Sequence, residues 1–502
     1  MNHPVLRRPK LFKPLLLALA SALTLSISGC ATIHDKSAPL AEIDTQQIRL
    51  ADDIKLSRDG WPQAQWWRRY DDSQLDALIA QALNDAPLMA AAKSRVKASG
   101  AQASLANATR GLQVGFSASI DRQDLSANSF LGPFTPNIPS EGLTGPWYTE
   151  GTMGLEASYS FDFWGKDRAK VDAALGVRNA RQAEAAETEL VLSSRVTQVY
   201  YDIQALYATR DLLLQARDIE IEMVAAHEAR AEHGIEPRMQ TEVARAHKLE
   251  LDKQINSAEG KIAVLRETLR ALVGAGPDNL PAIKALPLPT SAGELPASLG
   301  YELLARRPDL QAMRWYVQAS VRQVDIAKAA FYPSFDIKSF FGLDALHLAD
   351  LLHSSSRQIN LIPGLSLPIF DNGRLDSALA GAQAQSNVTI AQYNQSVLDA
   401  VREVAQTGIE LKDLQQQAQM QEAKLNATTF SADSAQALYQ SGLSDKINAM
   451  EAELPVLSER GKMVELRSRQ IDREVALTMA LGGGYNADSQ ASDRDHSYPP
   501  AH

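Results

Sequence analysis

Residues 153–175 read MGLEASYSFDFWGKDRAKVDAAL and contain a change from strand to helix on which the rest of the interpretation depends. Up to Phe161, apolar residues alternate with smaller or polar ones, which is the period of a β-strand with one apolar face. From Gly165 the alternation stops, and a stretch without proline runs to His233, rich in Ala, Gln, Glu and Leu. The pattern therefore predicts a strand that leads almost directly into a very long helix.

A similar succession occurs twice in the chain. A first β-hairpin is predicted at about residues 112–163 and a second at about 335–370, each with alternating apolar positions and a loop rich in Gly, Pro, Asn and Ser. In the second hairpin the alternation is carried by Ile359, Leu361, Leu365, Leu367 and Ile369. Four strands of about ten residues with one apolar side suit the tilted wall of an outer-membrane barrel. An amphipathic sheet that covers a soluble core is the alternative.

Each hairpin is followed by two predicted helices, at 165–233 and 238–273 in the first half and at 374–441 and 446–482 in the second. A helix of 69 residues is roughly 100 Å long and needs lateral partners. One apolar stripe, formed by Val196, Val199, Tyr200, Ile203 and Leu206, is expected to face a neighbouring helix, with Arg195, Asp202 and Gln204 pointing elsewhere. An ordinary coiled coil would also show this stripe, but it does not explain the strands.

The two halves repeat one unit, with matched segments offset by 205 to 222 residues. Gly234-Ile235 matches Gly442-Leu443, and LRALVG at 269–274 matches LTMALG at 477–482. The predicted organisation is a first repeat at 71–274, a Pro-rich joint at 275–300, a second repeat at 301–484 and a polar, disordered tail at 485–502.

The N-terminus predicts a secreted lipoprotein. Residues 1–29 combine four basic residues with an apolar run that ends in Ile27-Ser28-Gly29, followed by Cys30, the only cysteine. Cleavage before Cys30 would expose its thiol for a diacylglycerol and its amine for a further acyl chain, so that residues 30–70 form a lipid-anchored segment. A buried structural cysteine is the alternative. A second cysteine for a disulfide is absent.

Charge and hydropathy restrict the function further. Removal of the leader, which carries four basic and no acidic residues, changes the formal net charge from -10 to -14, so nucleic acid is not expected as a partner. After Ile27 the sequence contains no apolar stretch of the roughly 20 residues that a membrane helix needs. We therefore expect any contact with the membrane to be made by strands and lipid.

Four strands cannot close a barrel alone, and unpaired edges are not tolerated in hydrocarbon. Three chains would close a twelve-stranded barrel with a water-filled lumen, and their long helices would continue it as a helical barrel. The predicted fold class is thus an α+β membrane protein, a homotrimer whose twelve-stranded β-barrel is continuous with a long α-helical barrel in the periplasm.

Several motifs resemble the outer membrane efflux protein family, the TolC-like channels, in its lipoprotein branch called NodT-type. The motifs are the Cys30 lipobox, Trp66-Trp67 with DSQLDALI at 72–79, YELLARRPDL at 301–310, FYPS at 331–334 and LPIFDNGR at 367–374. The resemblance implies a trimeric exit duct in the outer membrane that exports drugs and toxic small molecules. Its partners would be a periplasmic membrane-fusion adaptor and an inner-membrane efflux pump, with no cofactor.

The resemblance also implies a gate near the tips of the helical hairpins, six and nine residues after the tip glycine. Those positions hold Asn448 and Glu451 in the second half, and the first of them is Gln240 in the first half. A solvated glutamate on a helix face is an equally acceptable interpretation of Glu451. The tip residues expected to contact the adaptor are Gly234, Ile235, Arg238, Gly442, Leu443 and Lys446.

Catalytic chemistry is not predicted. The histidines are scattered, no HExxH or paired CxxC motif occurs, and no metal ligands are proposed. Ser94 and Lys97 form the SxxK pattern of serine β-lactamases, but the accompanying Ser-Asp-Asn and Lys-Thr-Gly motifs are missing. Two other functions remain as alternatives, a lipid-anchored coiled-coil tether without a pore and a TolC-like duct for protein secretion.

Overall fold

The computed structural model describes residues 40–42, 62–124, 126, 147–276, 279–290 and 306–485. The predicted leader, Cys30, most of the first hairpin loop, much of the Pro-rich joint and the tail after Tyr485 lie outside these residues.

Seven α-helices form within the described residues. They are α1 (Ser73–Asp85), α2 (Pro87–Ala108), α3 (Lys166–Glu232), α4 (Arg238–Leu272), α5 (Pro308–Ala329), α6 (Arg374–Gln440) and α7 (Lys446–Ala480). The helices α2, α3 and α4 contain 22, 67 and 35 residues, and α5, α6 and α7 have the same three lengths. The observed bounds of the four long helices differ from the predicted bounds by two residues or fewer.

One antiparallel sheet contains all four described strands in the order β1 (Gln113–Asp124), β2 (Trp147–Phe161), β3 (Ser334–Ala345) and β4 (Arg357–Ser366). The two hairpins are joined because β2 pairs with β3 along Gly151–Phe161. The predicted alternation in the second hairpin was too long, since β4 ends at Ser366 and leaves Leu367 and Ile369 outside it. Pro368 explains the difference, because proline has no N–H to continue the ladder.

Contacts divide the chain into two compact units. The sheet unit takes its described residues from 1–41, 99–178 and 316–390, and the helical unit takes them from 42–98, 179–315 and 391–502. Both units combine segments from both halves of the sequence. Each unit therefore draws on both predicted repeats, and α3 and α6 each contribute to both units.

The core of the helical unit forms around α3. Val196, Val199, Tyr200 and Ile203 are fully or almost fully buried, and Leu206 packs against them, as the apolar stripe predicts. The core is completed by residues from several elements, among them Trp66, Trp67, Leu75, Ile79, Leu269, Ile471 and Val475. This packing explains why the Trp-Trp motif and α1 lie against the long helices.

Gln204 corrects one expectation, because its side chain is buried rather than directed away from the stripe. Its amide nitrogen donates to the carbonyl oxygen of Lys284 at 2.9 Å, and its amide oxygen accepts from the N–H of Leu286 at 2.8 Å. A buried amide is tolerated where both of its polar atoms are hydrogen-bonded. Gln204 therefore fixes the extended segment 279–290 against α3.

A buried arginine joins the start of α5 to other helices of the same unit. The Arg307 guanidinium donates to Asp309 at 3.0 and 2.6 Å, to Glu403 at 2.9 Å and to the carbonyl oxygen of Ala480 at 3.2 Å. Its planar fork suits several acceptors at once. The RRPDL motif thus has a structural role in connecting α5, α6 and α7.

The sheet unit has its own small core, in which Phe331 packs with Leu375 and Leu379. At the end of β2, the Trp164 ring stacks on Tyr332 with 4.8 Å between centroids, and its indole nitrogen donates to the Pro333 carbonyl oxygen at 2.7 Å. These contacts hold the start of α3 beside the start of β3. A search of the described helices finds none long and apolar enough to cross a membrane.

Candidate functional site

The sheet has one apolar and one polar face. Because side chains alternate along a strand, directly paired residues share a face. Phe116 pairs with Leu155, Leu155 with Phe341, and Phe341 with Ile359, so four large apolar side chains form one row across the sheet. All four are exposed. The neighbouring rows on this face contain Val114, Ala118, Met153, Tyr159, Phe161, Phe335, Ile337, Leu343, Leu361 and Leu365.

The opposite face carries polar side chains and small residues. Its rows contain Ser117, Ser119, Asp121, Glu150, Thr152, Glu156, Ser158, Asp336, Lys338 and Asn360. Gly154 lies directly opposite Gly342 on this face, and the ring of Phe340 covers both, close enough to meet a Cβ at either position. Side chains at 154 and 342 would also meet backbone atoms of the paired strand, so glycine is required at both positions. Such a two-faced sheet can separate hydrocarbon from water.

Aromatic residues cluster on the apolar face where β2 ends. Phe161 contacts Tyr159 edge-on with centroids 4.9 Å apart, and it stacks on Phe163 at 5.6 Å. Phe163 also meets Phe335 edge-on at 5.3 Å. Aromatic belts of this kind lie at the interface between hydrocarbon and water in membrane barrels.

The two helical hairpins end in the same backbone arrangement. After α3, the N–H of Ile235 donates to the carbonyl oxygen of Arg230 at 2.9 Å. After α6, the N–H of Leu443 donates to the carbonyl oxygen of Leu438 at 2.9 Å. Gly234 and Gly442 have φ of 64° and 73°, a left-handed conformation that glycine adopts without strain. This explains why Gly-Ile and Gly-Leu occupy equivalent positions. The side chains of Ile235 and Leu443 are both exposed.

Ion pairs connect the first hairpin to the second. The Arg230 guanidinium contacts Asp445 at 3.0 Å and Glu236 at 3.2 Å, and Glu236 also accepts from His227 at 2.6 Å. Hydrogen bonds from the backbone N–H of Asn448 and from the Arg230 guanidinium hold the pKa of Asp445 below its ordinary value.

A second ion pair joins the same two hairpins. Lys446 Nζ lies 2.8 Å from Glu222 Oε2, and this bond raises the pKa of the Lys446 ammonium. The carboxylate that caps α7 and the first residue of that helix are therefore both bound to α3.

The predicted gate residues lie close to these hairpin ends. Asn448 and Glu451 are exposed on the first turns of α7, and Gln240 is exposed on the first turn of α4. Asn448 donates from its side-chain amide to the Ser444 hydroxyl at 3.3 Å. The charge of Glu451 contributes to raising the pKa of Glu220 on α3. Among the predicted tip residues, Lys446 forms a side-chain ion pair, with Glu222 on α3.

Sequence reasoning missed the residues that join the hairpins, namely Arg230 and Asp445 with Glu222. These partners lie more than 200 residues apart, so no local pattern pairs them. The one available signal was Asp445 at an N-cap position before α7. No group of three or more potential metal ligands occurs in the part of the chain that the structure describes.

The chain matches a family model described as "Outer membrane efflux protein" over residues 78–275 and 299–483. It is 49% identical over 478 residues to the multidrug resistance outer membrane protein MdtP of Shigella flexneri, covering 95% of this chain and 98% of that protein. The resemblance inferred from the Trp-Trp, RRPDL and other motifs is thereby confirmed.

Solved structures agree with this result. The outer membrane protein VceC of Vibrio cholerae has a TM-score of 0.74 and 31% identity, with 85% of this chain and all of that chain covered (100%). The Campylobacter jejuni CmeC outer membrane channel has a TM-score of 0.79 at 19% identity, covering 94% of this chain and 99% of that one. At 19% identity the likeness to CmeC shows the fold alone.

Proposed function

The chain belongs to the outer membrane efflux protein family, and from this membership we propose that it is a trimeric outer-membrane duct of a tripartite export system. It is an efflux protein of the outer membrane and not an enzyme, as the family description and the drug-resistance relative indicate. The cargo we propose is drugs and other toxic small molecules, delivered by an inner-membrane pump through a periplasmic adaptor.

The two-faced sheet is the observation that carries the proposal. Among the described strands, β1 and β4 each pair along one edge only, which leaves a row of backbone groups on either side of the sheet. Unsatisfied N–H and C=O groups cost several kcal/mol each in hydrocarbon, in the range of about 2–7 kcal/mol. Three copies that pair β1 with a neighbouring β4 would remove both edges and form a twelve-stranded barrel. Its polar face would line water.

A stripe on α6 supports association of several copies. Leu398, Ile409, Met420 and Phe430 are spaced 11, 11 and 10 residues apart, and their exposed fractions are 49, 58, 72 and 74%. Eleven residues make three turns of an α-helix plus about 20°, so these residues follow one side of α6. The opposite side carries buried Val404, Leu411 and Leu414. We call the four exposed residues the α6 stripe and assign it to the contact with a neighbouring copy.

The hairpin ends supply the proposed gate. Arg230–Asp445 and Lys446–Glu222 tie the second hairpin to α3 within one chain, and Asn448, Glu451 and Gln240 lie exposed beside them. Opening would separate the hairpins and break these ion pairs. Exposed Ile235 and Leu443, with Gly234, Arg238, Gly442 and Lys446, form the surface that we assign to the adaptor.

Planar bilayer recordings test the duct directly. The purified, acylated protein is expected to insert as a crosslinkable trimer and to give ohmic single-channel openings. In cells that lack their own exporter of this family, the chain with its cognate adaptor and pump is expected to raise drug resistance. A folded, inserted trimer without conductance would favour the tether, and conductance together with export of a protein substrate alone would favour the secretion duct.

A further inference from the structure

A cavity of about 600 Å³ lies within the helical unit, between α3, α4 and α7. All three helices contribute leucines to its wall, namely Leu212, Leu213, Leu251, Leu454 and Leu457, beside polar and charged residues of the same helices. A volume of this size accommodates a drug-sized molecule, and a lining that combines apolar with charged side chains suits an amphiphilic one.

Glu220 on α3 lines this cavity and differs from its other charged residues in being almost fully buried, with only 2% of its surface exposed. Its Oε2 accepts no hydrogen bond from any described residue. Its Oε1 lies 3.5 Å from Nδ1 of His247, whose side chain is mostly exposed. Burial raises the pKa of Glu220, and nearby His247 lowers it. A buried carboxylate without a full set of partners is costly, and a cation bound beside it would offset that cost.

The other charges that line the cavity already have partners. Lys462 binds Glu459 at 2.8 Å, and Glu250 binds Lys253 at 3.0 Å. Glu465 is paired with Arg469 one turn along α7. None of these pairs involves Glu220. Among the acidic residues that line the cavity, Glu220 is therefore the one without a Lys or Arg partner in the described part of the chain.

Gly461 of α7 leaves part of this space open. A methyl group at Gly461 would meet no described atom within 4 Å, so the missing side chain leaves room rather than relieving a close contact. Pro455 lies inside the same helix, between the lining residues Leu454 and Leu457, and lacks the N–H for one backbone hydrogen bond. Glycine and proline are both poor residues for the interior of a helix.

We propose that this cavity is a binding site for an amphiphilic organic cation, whose apolar groups contact the leucines while its charge pairs with Glu220. A desolvated cation and carboxylate attract one another strongly in such surroundings. The site goes beyond the proposed duct function, because transport through a water-filled lumen does not require a binding cavity in the helical wall.

Calorimetry with two aromatic probes tests the site. The trimer in lipid nanodiscs is titrated with tetraphenylphosphonium, and with triphenylphosphine oxide as a neutral probe with similar rings, after subtraction of empty nanodiscs. Saturable binding of the cation, at least about tenfold tighter than that of the neutral probe, is expected, which corresponds to roughly 1.4 kcal/mol. Equal binding of both probes, or no binding of the cation, would overturn the proposal.

Two variants and a matched control locate the binding. Glu220→Gln removes the charge at constant size and is expected to weaken cation binding about tenfold, or 1.4 kcal/mol. Gly461→Leu fills the open space and should abolish binding, while a better helix former at this position favours correct folding. Glu242→Gln changes an exposed α4 carboxylate that pairs with Arg245 and should leave binding unchanged.

Channel conductance separates this proposal from the duct. All three variants are expected to retain single-channel conductance, so a failure of the duct proposal would appear in the recordings and not in the titrations. Unchanged cation affinity in both Glu220→Gln and Gly461→Leu would contradict the assignment.

Discussion

Several acidic side chains of the helical unit are partly or fully withdrawn from water, and among them Glu187 on α3 has a strongly raised pKa. Burial raises the pKa of Glu187 to about 7, with Asp309 and Glu403 acting in the same direction and Arg307 opposing them. Three carboxylates thus face one buried guanidinium. Because one positive charge cannot satisfy three negative ones, the least solvated acid holds its proton to the highest pH.

This cluster predicts a pH-dependent stability. A carboxyl group whose folded-state pKa is raised stabilises the fold below its unfolded pKa near 4.5, and that contribution is lost as the pH rises toward about 7. The thermal midpoint of the trimer should therefore be higher at about pH 5 than at about pH 8 through this residue. Glu187→Gln should be more stable than the parent at about pH 8 and should show a smaller difference between the two pH values. An unchanged difference in thermal melts would contradict this assignment.

Arg230 predicts the behaviour of the proposed gate. Arg230→Gln removes the ion pairs with Asp445 and Glu236 and should shift the hairpins toward the open arrangement, because one of the two described ion pairs between them is lost and Lys446–Glu222 alone remains of these two. The expected results are a larger single-channel conductance and greater sensitivity of cells to bulky antibiotics. Arg217→Gln is the control, since Arg217 lies on α3 and pairs with its neighbour Asp218. Equal conductance of the two variants would remove Arg230 from the gate.

Individual side-chain contacts were the least predictable from sequence. Helical periodicity correctly predicts the buried stripe around Val199. The same periodicity predicts that Gln204 points away from the core, whereas its side chain is buried. Its partners, Lys284 and Leu286, come from an irregular segment 80 residues away. Neither periodicity nor composition contains information on such a pairing. The same reason hid the contact between Arg230 and Asp445.

At the scale of secondary-structure elements, a charged substitution is expected to have opposite effects on assembly on the two faces of the sheet. Leu155→Arg places a charge in the apolar row of Phe116, Leu155 and Phe341, where an arginine on a lipid face costs up to about 2–4 kcal/mol; Leu155→Asp should cost less but act in the same direction. Little folded protein should reach the outer membrane, as measured by heat-modifiable mobility of membrane fractions.

Ser119→Asp supplies the matched control for the sheet. Ser119 lies on the polar face of β1, where Asp121 and Thr152 are its neighbours. This variant should assemble normally, and as part of a lumen it should increase the cation selectivity of the channel. Normal assembly of both Leu155 variants, or failure of Ser119→Asp, would reverse the assignment of the two faces.

The α6 stripe predicts how copies associate. Ile409→Asp and Met420→Asp should each weaken the trimer, because a charge would be buried in an apolar contact between copies. Chemical crosslinking in membranes should then give monomers and dimers. Gln415 lies about 120° around the helix from Ile409 and about 140° from Met420. Gln415→Asp should therefore leave trimers intact. Intact trimers in all three variants would show that the stripe is not the contact.

Element bounds were closely anticipated where glycine, proline and long Ala-rich stretches mark them. The start of α2 at Pro87 and of α5 at Pro308 follows from the preference of proline for the first turn of a helix. The pairing of β2 with β3 was not predictable in the same way, because their alternation specifies faces and not neighbours. The alternating pattern continues across Pro368 and therefore predicted a strand that extends beyond Ser366, where β4 ends.

For the whole molecule, the proposed lipid anchor and the proposed barrel are expected to make separable contributions to membrane attachment. Cys30 lies outside the described residues, and its acylation remains a prediction from the lipobox. Cys30→Ser should abolish incorporation of labelled palmitate. The protein should nevertheless stay in the outer membrane and conduct, because a closed barrel holds it there independently. Full release into the periplasm would instead favour a tether that depends on acyl chains alone.

The equal lengths of the corresponding helices in the two halves support the duplicated unit proposed from the sequence. The residues just before α4 and α7, however, are different. Pro237 precedes α4 and offers no side-chain cap, whereas Asp445 precedes α7, caps it and binds Arg230. The helices that follow the two hairpin ends therefore begin differently, α4 without a side-chain cap and α7 with a carboxylate that also binds Arg230. Asp in place of Pro237 would give the start of α4 an acceptor for its first free N–H groups, as Asp445 gives α7.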